Sequence, residues 1–172
     1  MPLEMLNAAK LTKLEKQWLE ELDEVQTVNP ARCLGAIARA KDIVSDADSD
    51  QYAYTYVGSD GMYAGIVLLS HACANSERAW LKMLELTLAP TFADHNNPPP
   101  LKSLFRIGGA VLTEVFSLSS DILKSDSVKI YGDSIMDARI WREIADPEKL
   151  PDDIELPFDV SAHGSWLVLK RK

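Results

Sequence analysis

Residues 51–57 read QYAYTYV, residues 62–70 read MYAGIVLLS and residues 78–88 read RAWLKMLELTL, and these three strand-like runs decide the predicted fold. A loop with several prolines at residues 89–100 follows, and we expect it to be irregular. Residues 106–111 then read RIGGAV and lead into an apolar helix. A strand that feeds a glycine-containing turn and a helix N-terminus is a place where phosphate can bind. The order therefore indicates the outline of a cofactor site.

Predicted helices and strands surround these runs. Apolar residues at three- and four-residue spacing predict a helix over residues 8–26. Asn29 and Pro30 predict the cap and the first residue of a second helix. After the loop, the sequence predicts a helix ending near Lys124, a strand at 128–131, a helix at 135–145 and strands at 158–160 and 165–170. The order α-α-β-β-β-α-β-α-(β)-β predicts one domain over residues 1–172, with a mixed sheet covered by helices.

Composition limits the function classes. A net charge of −8 over 172 residues argues against nucleic-acid binding, which needs a basic surface. The absence of an apolar run near the roughly 20 residues that span a bilayer, and of a signal peptide, predicts a cytoplasmic protein with no membrane partner. Cys33 and Cys73 are expected to be buried free thiols. His71 and Cys73 supply too few ligands for a metal site, so no metal is expected.

Three patches carry a resemblance to a known family. Residues 84–90 read LELTLAP, residues 106–111 read RIGGAV, and residues 128–134 read VKIYGDS before a helix. In this order they resemble the GNAT superfamily of acyl-CoA-dependent N-acyltransferases. The resemblance implies an α/β (α+β) fold with a mixed, mostly antiparallel central sheet flanked by helices. That fold usually begins with one more strand, for which residues 1–7 are the only place, and they form a poor strand.

The first patch places a carboxylate on a strand. The resemblance implies that the backbone at Leu86 and Leu88 holds the thioester and pantetheine arm, and that Glu85 is the general base. The alternative is a glutamate on the solvent side of the strand. Because Leu81 and Met83 share its face and are apolar, Glu85 is expected to face partly buried surroundings.

The second patch resembles the family's pyrophosphate loop. The resemblance implies that Arg106, Gly108, Gly109 and Ala110 bind the cofactor, although Val111 departs from the pattern. Glycine lets backbone N–H groups approach phosphate oxygens closely. The alternative follows from the three prolines before Leu101: if the helix begins there, the glycines lie inside it and the amide cradle fails.

The third patch departs further from the family. Ser134 stands where the family commonly has Asn, and Trp141 stands where it has the Tyr that protonates the leaving thiolate. Tryptophan has no titratable proton to give. Tyr131 or a bound water is the substitute acid that the resemblance leaves. The alternative for Trp141 is core packing.

The sequence thus supports two functions. The first is a divergent N-acyltransferase that moves an acetyl or acyl group from acetyl-CoA, or another acyl-CoA, to an amine-bearing small molecule or protein. The resemblance also allows a homodimer. The second is a catalytically inactive GNAT-fold protein that serves as a binding or interaction module. Fold alone does not choose between them, since function lies in the site.

Overall fold

The computed structural model describes residues 3–25, 28–74, 76, 79–94, 96–97, 99–132, 141–143, 146 and 158–172. In this part of the chain seven strands form one sheet in the order β1-β2-β3-β4-β5-β7-β6. The strands are β1 Leu3–Met5, β2 Gln51–Val57, β3 Tyr63–Ala72, β4 Trp80–Leu88, β5 Ser127–Tyr131, β6 Phe158–His163 and β7 Trp166–Arg171. The helices are α1 Ala8–Glu24, α2 Pro30–Ser45 and α3 Leu101–Ser120.

The sheet is mixed. β4 and β5 run parallel, whereas β1 and β2, β5 and β7, and β6 and β7 pair antiparallel. The predicted fold class, a mostly antiparallel sheet flanked by helices, is therefore confirmed. The chain divides into two compact units, residues 1–69 with 85–100 and residues 70–84 with 101–172, called here the first and second unit.

The first unit packs α1 and α2 on strand residues. The Asn7 side chain accepts a hydrogen bond from the Lys10 amide at 2.9 Å, so it caps α1 as asparagine does at helix starts. Asn29 caps α2 in the same way, as predicted. The core of this unit contains Leu6, Leu11, Leu14, Trp18, Cys33, Ala36, Ile37, Ala40, Ala53, Ile66, Leu68 and Ala89.

A polar anchor fixes α1 to β3 inside that apolar core. Trp18 is fully buried, and its indole Nε1–H donates to the Tyr63 carbonyl at 2.9 Å. The Gln17 amide also binds Tyr63, donating to its carbonyl at 3.1 Å and accepting from its amide at 3.0 Å. Because these bonds pair groups that lose water on burial, they set the position of α1 against β3.

The second unit buries one face of its strands under α3. The buried residues include Leu81, Met83, Val111, Leu112, Val115, Phe116, Val128, Ile130, Phe158, Leu167 and Leu169. The Phe116 and Phe158 rings lie 4.9 Å apart between centroids, which joins α3 to β6. In β7 the three consecutive residues Leu167, Val168 and Leu169 are buried, whereas Lys170 and Arg171 at its end are exposed.

The prediction that the sheet lacks a first strand is wrong. Leu3–Met5 pairs antiparallel with β2, with Leu3 opposite Tyr56 and Met5 opposite Tyr54. Three residues are too few to show alternation, and this strand forms through backbone pairing with a distant partner. Residues 89–100 also contain a short 3-10 turn, Pro90–Ala93, where an irregular loop was expected. The fixed φ of Pro90 suits the first position of such a turn.

The predictions for the cysteines and for the helix at 135–145 are confirmed only in part. The cysteines are free, as predicted, but Cys73 is exposed, because it lies in the turn after β3. Of the helix predicted at 135–145, the structure describes residues 141–143, which are helical. Ser134 lies outside the described residues.

Candidate functional site

Glu85 lies in the second half of β4 and is held by three hydrogen bonds. Arg39 on α2 donates to it through both Nη2 and Nε, at 2.7 Å to Oε1 and 2.9 Å to Oε2. The Thr87 hydroxyl donates to Oε1 at 2.6 Å. The glutamate side chain is 21% exposed and that of Arg39 is 52% exposed. The carboxylate is therefore half-buried, as expected, and joined to a cation at the surface.

Neither partner of Glu85, Arg39 or Thr87, was predicted. Thr87 follows Glu85 by two residues, so the strand period places both side chains on one face, and the sequence could have shown this contact. Arg39 is 46 residues away on a helix, and no local signal links it to Glu85.

The β4 backbone continues beyond its pairing with β5. The parallel register joins Trp80 to Ser127 and ends with Met83 opposite Ile130. β4 itself runs on to Leu88. Within the described residues, Leu84 to Leu88 therefore have no β5 partner in this register. Backbone N–H and C=O groups on such a strand edge can bind an extended ligand.

Leu86 and Leu88 share the face of β4 opposite Glu85, and Gly65 on β3 lies beside them. A Cβ at Gly65 would lie 3.4 Å from Leu86 Cδ1, 3.4 Å from the Thr87 carbonyl oxygen and 3.6 Å from Leu88 Cδ2. The glycine thus lets these leucines lie close to the β3 backbone.

The segment with Arg106, Gly108, Gly109 and Ala110 lies inside α3. The helix begins at Leu101, so the prediction that this segment forms a helix N-terminal turn is wrong. Inside a helix each amide N–H donates to the carbonyl four residues earlier, which uses the donors that a phosphate cradle needs. Both glycines are buried, whereas Arg106 is exposed. A role for Arg106 in binding the cofactor stays a prediction.

Tyr131 and Trp141 lie in the second unit. Tyr131 ends β5 with 39% of its surface exposed, and its ring lies 4.9 Å from the Trp166 ring between centroids. Trp141 is buried and borders a crevice without room for a water molecule. Arg142 closes one side of it by donating to the Gly164 carbonyl at 2.9 Å. This packing favours the structural interpretation of Trp141.

A cluster of lysines and aromatic rings lies on the first half of β4 and the neighbouring strands. The Lys129 ammonium is 3.8 Å from the centroid of the Trp80 ring. The Lys82 ammonium lies 5.8 Å from the Trp80 centroid and 5.7 Å from that of Trp166. These are cation–π distances. The Trp80 Nε1 atom is buried and has no hydrogen-bond partner among the residues that the structure describes.

Burial changes the pKa of two titratable side chains in the first unit, Tyr54 and Cys33. It raises the pKa of the Tyr54 phenol and that of the Cys33 thiol above their ordinary values, because removal from water disfavours the charged forms. The Tyr54 hydroxyl is buried, and no group in the described part of the chain forms a hydrogen bond with it.

Two further findings concern metals and membranes. In the part of the chain that the structure describes, no group of three or more His, Cys, Asp or Glu side chains is placed to hold a metal ion. Among the same residues, no helix is both long enough and apolar enough to cross a bilayer.

Comparison with known proteins gives a clear answer about the fold. No protein-family model matches the sequence, and no curated protein matches it. Solved structures do match. A GNAT-family acetyltransferase from Staphylococcus aureus shares 10% identity at a TM-score of 0.51, covering 99% of this chain and 98% of the other. The N-acetyltransferase PseH from Campylobacter jejuni shares 12% identity at a TM-score of 0.50, with 100% of both chains covered.

A third similar structure is an aminoglycoside acetyltransferase from an uncultured soil metagenomic sample. It shares 12% identity at a TM-score of 0.50, covering 92% of this chain and 95% of the other. Together these likenesses show that the chain has the GNAT fold, with a sequence that diverges far from these structures. The predicted resemblance is therefore confirmed at the level of the fold.

Proposed function

We propose that the protein is an acyl-CoA-dependent N-acyltransferase. The observation that carries this proposal is the β4 backbone, which continues to Leu88 after its pairing with β5 ends at Met83. The pantetheine arm of coenzyme A is an extended chain with two amide groups. Among the described residues this edge has no β5 partner beyond Met83, and such an edge suits the pantetheine arm, because an extended chain can bind there as an added strand does.

The parts of the cofactor are assigned to the predicted residues one by one. Backbone groups at Leu86 and Leu88 would bind the pantetheine arm, and a nearby N–H would polarise the thioester carbonyl as an oxyanion site does. Arg106 would supply positive charge for the pyrophosphate. The amides of Gly108 and Gly109 are not part of this proposal, since α3 uses them internally.

Glu85 is the proposed proton acceptor. The acceptor nitrogen attacks the thioester carbon, the carbon–sulfur bond breaks, and an amide forms. The proton lost by the nitrogen goes to Glu85 Oε2, which accepts one hydrogen bond in the structure, whereas Oε1 accepts two. Water would protonate the leaving thiolate. The role of Tyr131 as this acid stays a prediction.

The proposed acceptor is an amine, and the proposed compartment is the cytoplasm. Two of the similar structures are named as N-acetyltransferase and aminoglycoside acetyltransferase, which supports an amine in general terms. The free Cys33 and Cys73 suit a reducing compartment.

Two observations favour a second candidate, an interaction module that keeps the fold without turnover. Arg39 occupies both oxygens of Glu85, and α3 encloses the glycines that would otherwise form the phosphate cradle. A module of this kind would bind neither acyl-CoA nor its analogues.

Thermal unfolding with acetyl-CoA, and separately with desulfo-CoA, tests the choice. A ligand at about one hundred times its dissociation constant adds roughly 2.7 kcal/mol to the free energy of unfolding. We expect both ligands to raise the Tm, and Arg106→Gln to reduce the shift. Lys41→Gln is the control, because Lys41 pairs with Glu15 away from β4. No shift at millimolar concentrations of either ligand would overturn the acyltransferase in favour of the module.

A further inference from the structure

The sheet ends in two edge strands, β1 and β6, which differ in length and protection. β1 contains three residues, whereas β6 contains six, and all six pair one to one with β7. Natural edge strands are usually protected by shortness, lysine, proline or a bulge. β6 has none of these features, and its residues 159–163 are exposed or partly exposed. Among the described residues no strand pairs with the outer side of β6, so this edge can accept a further strand.

The turn after β6 shows which of its backbone groups point outward. Residues 164 and 165 form this turn, so His163 and Trp166 are its first and fourth residues and form a hydrogen-bonded pair. Hydrogen-bonded pairs alternate with non-hydrogen-bonded pairs along an antiparallel ladder. Every second residue of β6, counted back from His163, therefore directs its N–H and C=O groups toward β7. Val160 and Ala162 lie between these residues and direct theirs outward.

We propose that β6 pairs antiparallel with β6 of a second copy of this chain, around a two-fold axis at Ser161. In this register Val160 of each copy lies opposite Ala162 of the other. Their outward N–H and C=O groups then exchange hydrogen bonds in both directions, as the residues of a hydrogen-bonded pair do. A two-fold interface uses the same surface of both copies, so this edge has to be complementary to itself.

The side chains of β6 select this register among those that the backbone allows. Asp159 and His163 are exposed and lie on one face of the strand, because they are four residues apart. With the axis at Ser161, each Asp159 lies opposite His163 of the other copy, and an imidazole N–H can donate to the carboxylate. An axis at Val160 would leave His163 without a β6 residue opposite it. An axis at Asp159 would place two carboxylates opposite each other.

Disulfide cross-linking measures the register. The background is Cys73→Ser, because Cys73 is exposed whereas Cys33 is buried. Ser161 lies opposite its own copy in a non-hydrogen-bonded pair, where Cα atoms are about 4.5 Å apart. A disulfide tolerates that separation, so Ser161→Cys should cross-link the dimer under mild oxidation. Val160→Cys and Ala162→Cys are the controls and should cross-link far more slowly, because each lies opposite the other residue and not opposite itself.

Substitutions at His163 test its contact with Asp159. His163→Lys places opposite charges across the axis and should tighten the dimer. His163→Asp places two carboxylates opposite each other and should raise the dissociation constant about tenfold, since the change is repeated on both sides of the axis. Asp159→Asn should remove the difference between these two variants, as a double-mutant cycle requires of residues in contact. Sedimentation of the full chain over the micromolar range gives the constants, since an interface of this size associates weakly.

Ala162→Pro separates the role of the edge from that of the β6–β7 pairing. The Ala162 N–H points away from β7, so proline there removes an outward donor and leaves the hydrogen bonds to β7 in place. We expect the dimer to be lost. The Tm, measured where the unchanged protein is monomeric, should stay close to that of the unchanged protein. Ala162→Ser keeps the N–H and should keep the dimer.

Several results would overturn the proposal. One is a chain that stays monomeric up to millimolar concentration. Another is a dimer that Ala162→Pro does not weaken. A third is cross-linking of Val160→Cys or Ala162→Cys in place of Ser161→Cys, because the axis would then lie elsewhere. The acyltransferase is tested separately by its response to acetyl-CoA, so the two proposals fail independently.

Discussion

The two halves of β4 hold their polar side chains in opposite ways. In the first half, Lys82 lies against indole rings, and the backbone pairs with β5 from Trp80 to Met83. In the second half, Glu85 is bound by a cation and a hydroxyl, and among the described residues the backbone has no β5 partner in that register. The comparison teaches that a paired strand edge is committed to the sheet. The half without that pairing is where we propose that a ligand binds.

Glu85→Gln should give the largest effect, because it removes the proposed proton acceptor. We expect kcat/KM for acetyl transfer to fall by about 10²–10⁴, the usual contribution of a general base. The free energy of unfolding should fall by only about 1 kcal/mol, since the ion pair with Arg39 is partly exposed. Release of free thiol from acetyl-CoA measures the rate.

The control for this change is Glu15→Gln. Glu15 also accepts from a lysine on α2, Lys41, at 2.6 Å, so the control removes a comparable ion pair in the same unit. Its transfer rate should equal that of the unchanged protein. Equal rates in the two variants would show that the second half of β4 is structural after all.

Met83→Ala should show the reverse pattern in the first half of the strand. Met83 is 1% exposed, so its truncation leaves a cavity. We expect a loss of about 2–5 kcal/mol in the free energy of unfolding. The transfer rate per folded molecule should equal that of the unchanged protein, because Met83 precedes the part of β4 that lacks β5 pairing. Denaturant unfolding gives the first quantity, and a transfer assay well below the Tm gives the second.

Met5→Ala serves as the matched control, since Met5 is 49% exposed on β1. This change should stay within about 0.5 kcal/mol. A large loss of activity in Met83→Ala, with the fold intact, would contradict the division of β4 into two halves.

The parts of the fold that could be predicted are those with a pattern in the local sequence. β2 occupies residues 51–57 as predicted, since alternation is a property of the strand itself. The caps of α1 and α2 also follow from adjacent residues. β1 was missed because a strand of three residues depends on Tyr54 and Tyr56 for its pairing. Pairing with a distant segment leaves no periodic signal in so short a run.

The candidate site was predictable only where one strand contains it. The partly buried face of Glu85 was predicted from the apolar Leu81 and Met83. Thr87 was not predicted, although the strand period places it on the same face. Arg39 did not, because a contact between a helix and a strand depends on how they pack. The resemblance to a family loop favoured a turn at Gly108, whereas the prolines before Leu101 favoured a helix start there, and the local signal was correct.

Tyr54→Phe tests a buried polar group of the opposite kind. Within the described residues the Tyr54 hydroxyl has no hydrogen-bond partner, whereas Glu85 accepts three hydrogen bonds. Removing an unpaired buried hydroxyl should leave stability unchanged or raise it by about 1 kcal/mol at pH 8. Burial raises the pKa of Tyr54 in the folded protein above its ordinary value of about 10. In the unfolded chain the phenol therefore ionises at a lower pH than in the folded protein.

The sign of the pH dependence follows from these proton counts. Below about pH 10 the phenol is protonated in both states, so this contribution is fully present. As the pH rises from there toward the raised pKa, unfolding releases a proton, and the unchanged protein loses stability. The phenylalanine variant lacks this loss, so its advantage should grow above pH 10. Denaturant unfolding of both proteins at pH 8 and pH 11 measures it, and a constant difference would contradict the burial of Tyr54.

Lys129→Met should have the smallest effect and tests the first half of β4. Lys129 and Lys82 are register partners on parallel strands, so their charges repel each other. The attraction of Lys129 to the Trp80 ring, 3.8 Å away, opposes that repulsion. Because the ring is close, we expect attraction to decide, with a loss of about 0.5–1 kcal/mol in the free energy of unfolding. Lys82→Met should lose less, since both of its rings lie beyond 5.5 Å, at 5.7 and 5.8 Å. If either variant is more stable than the unchanged protein, repulsion between the lysines governs this half of the strand, and the aromatic rings only reduce it.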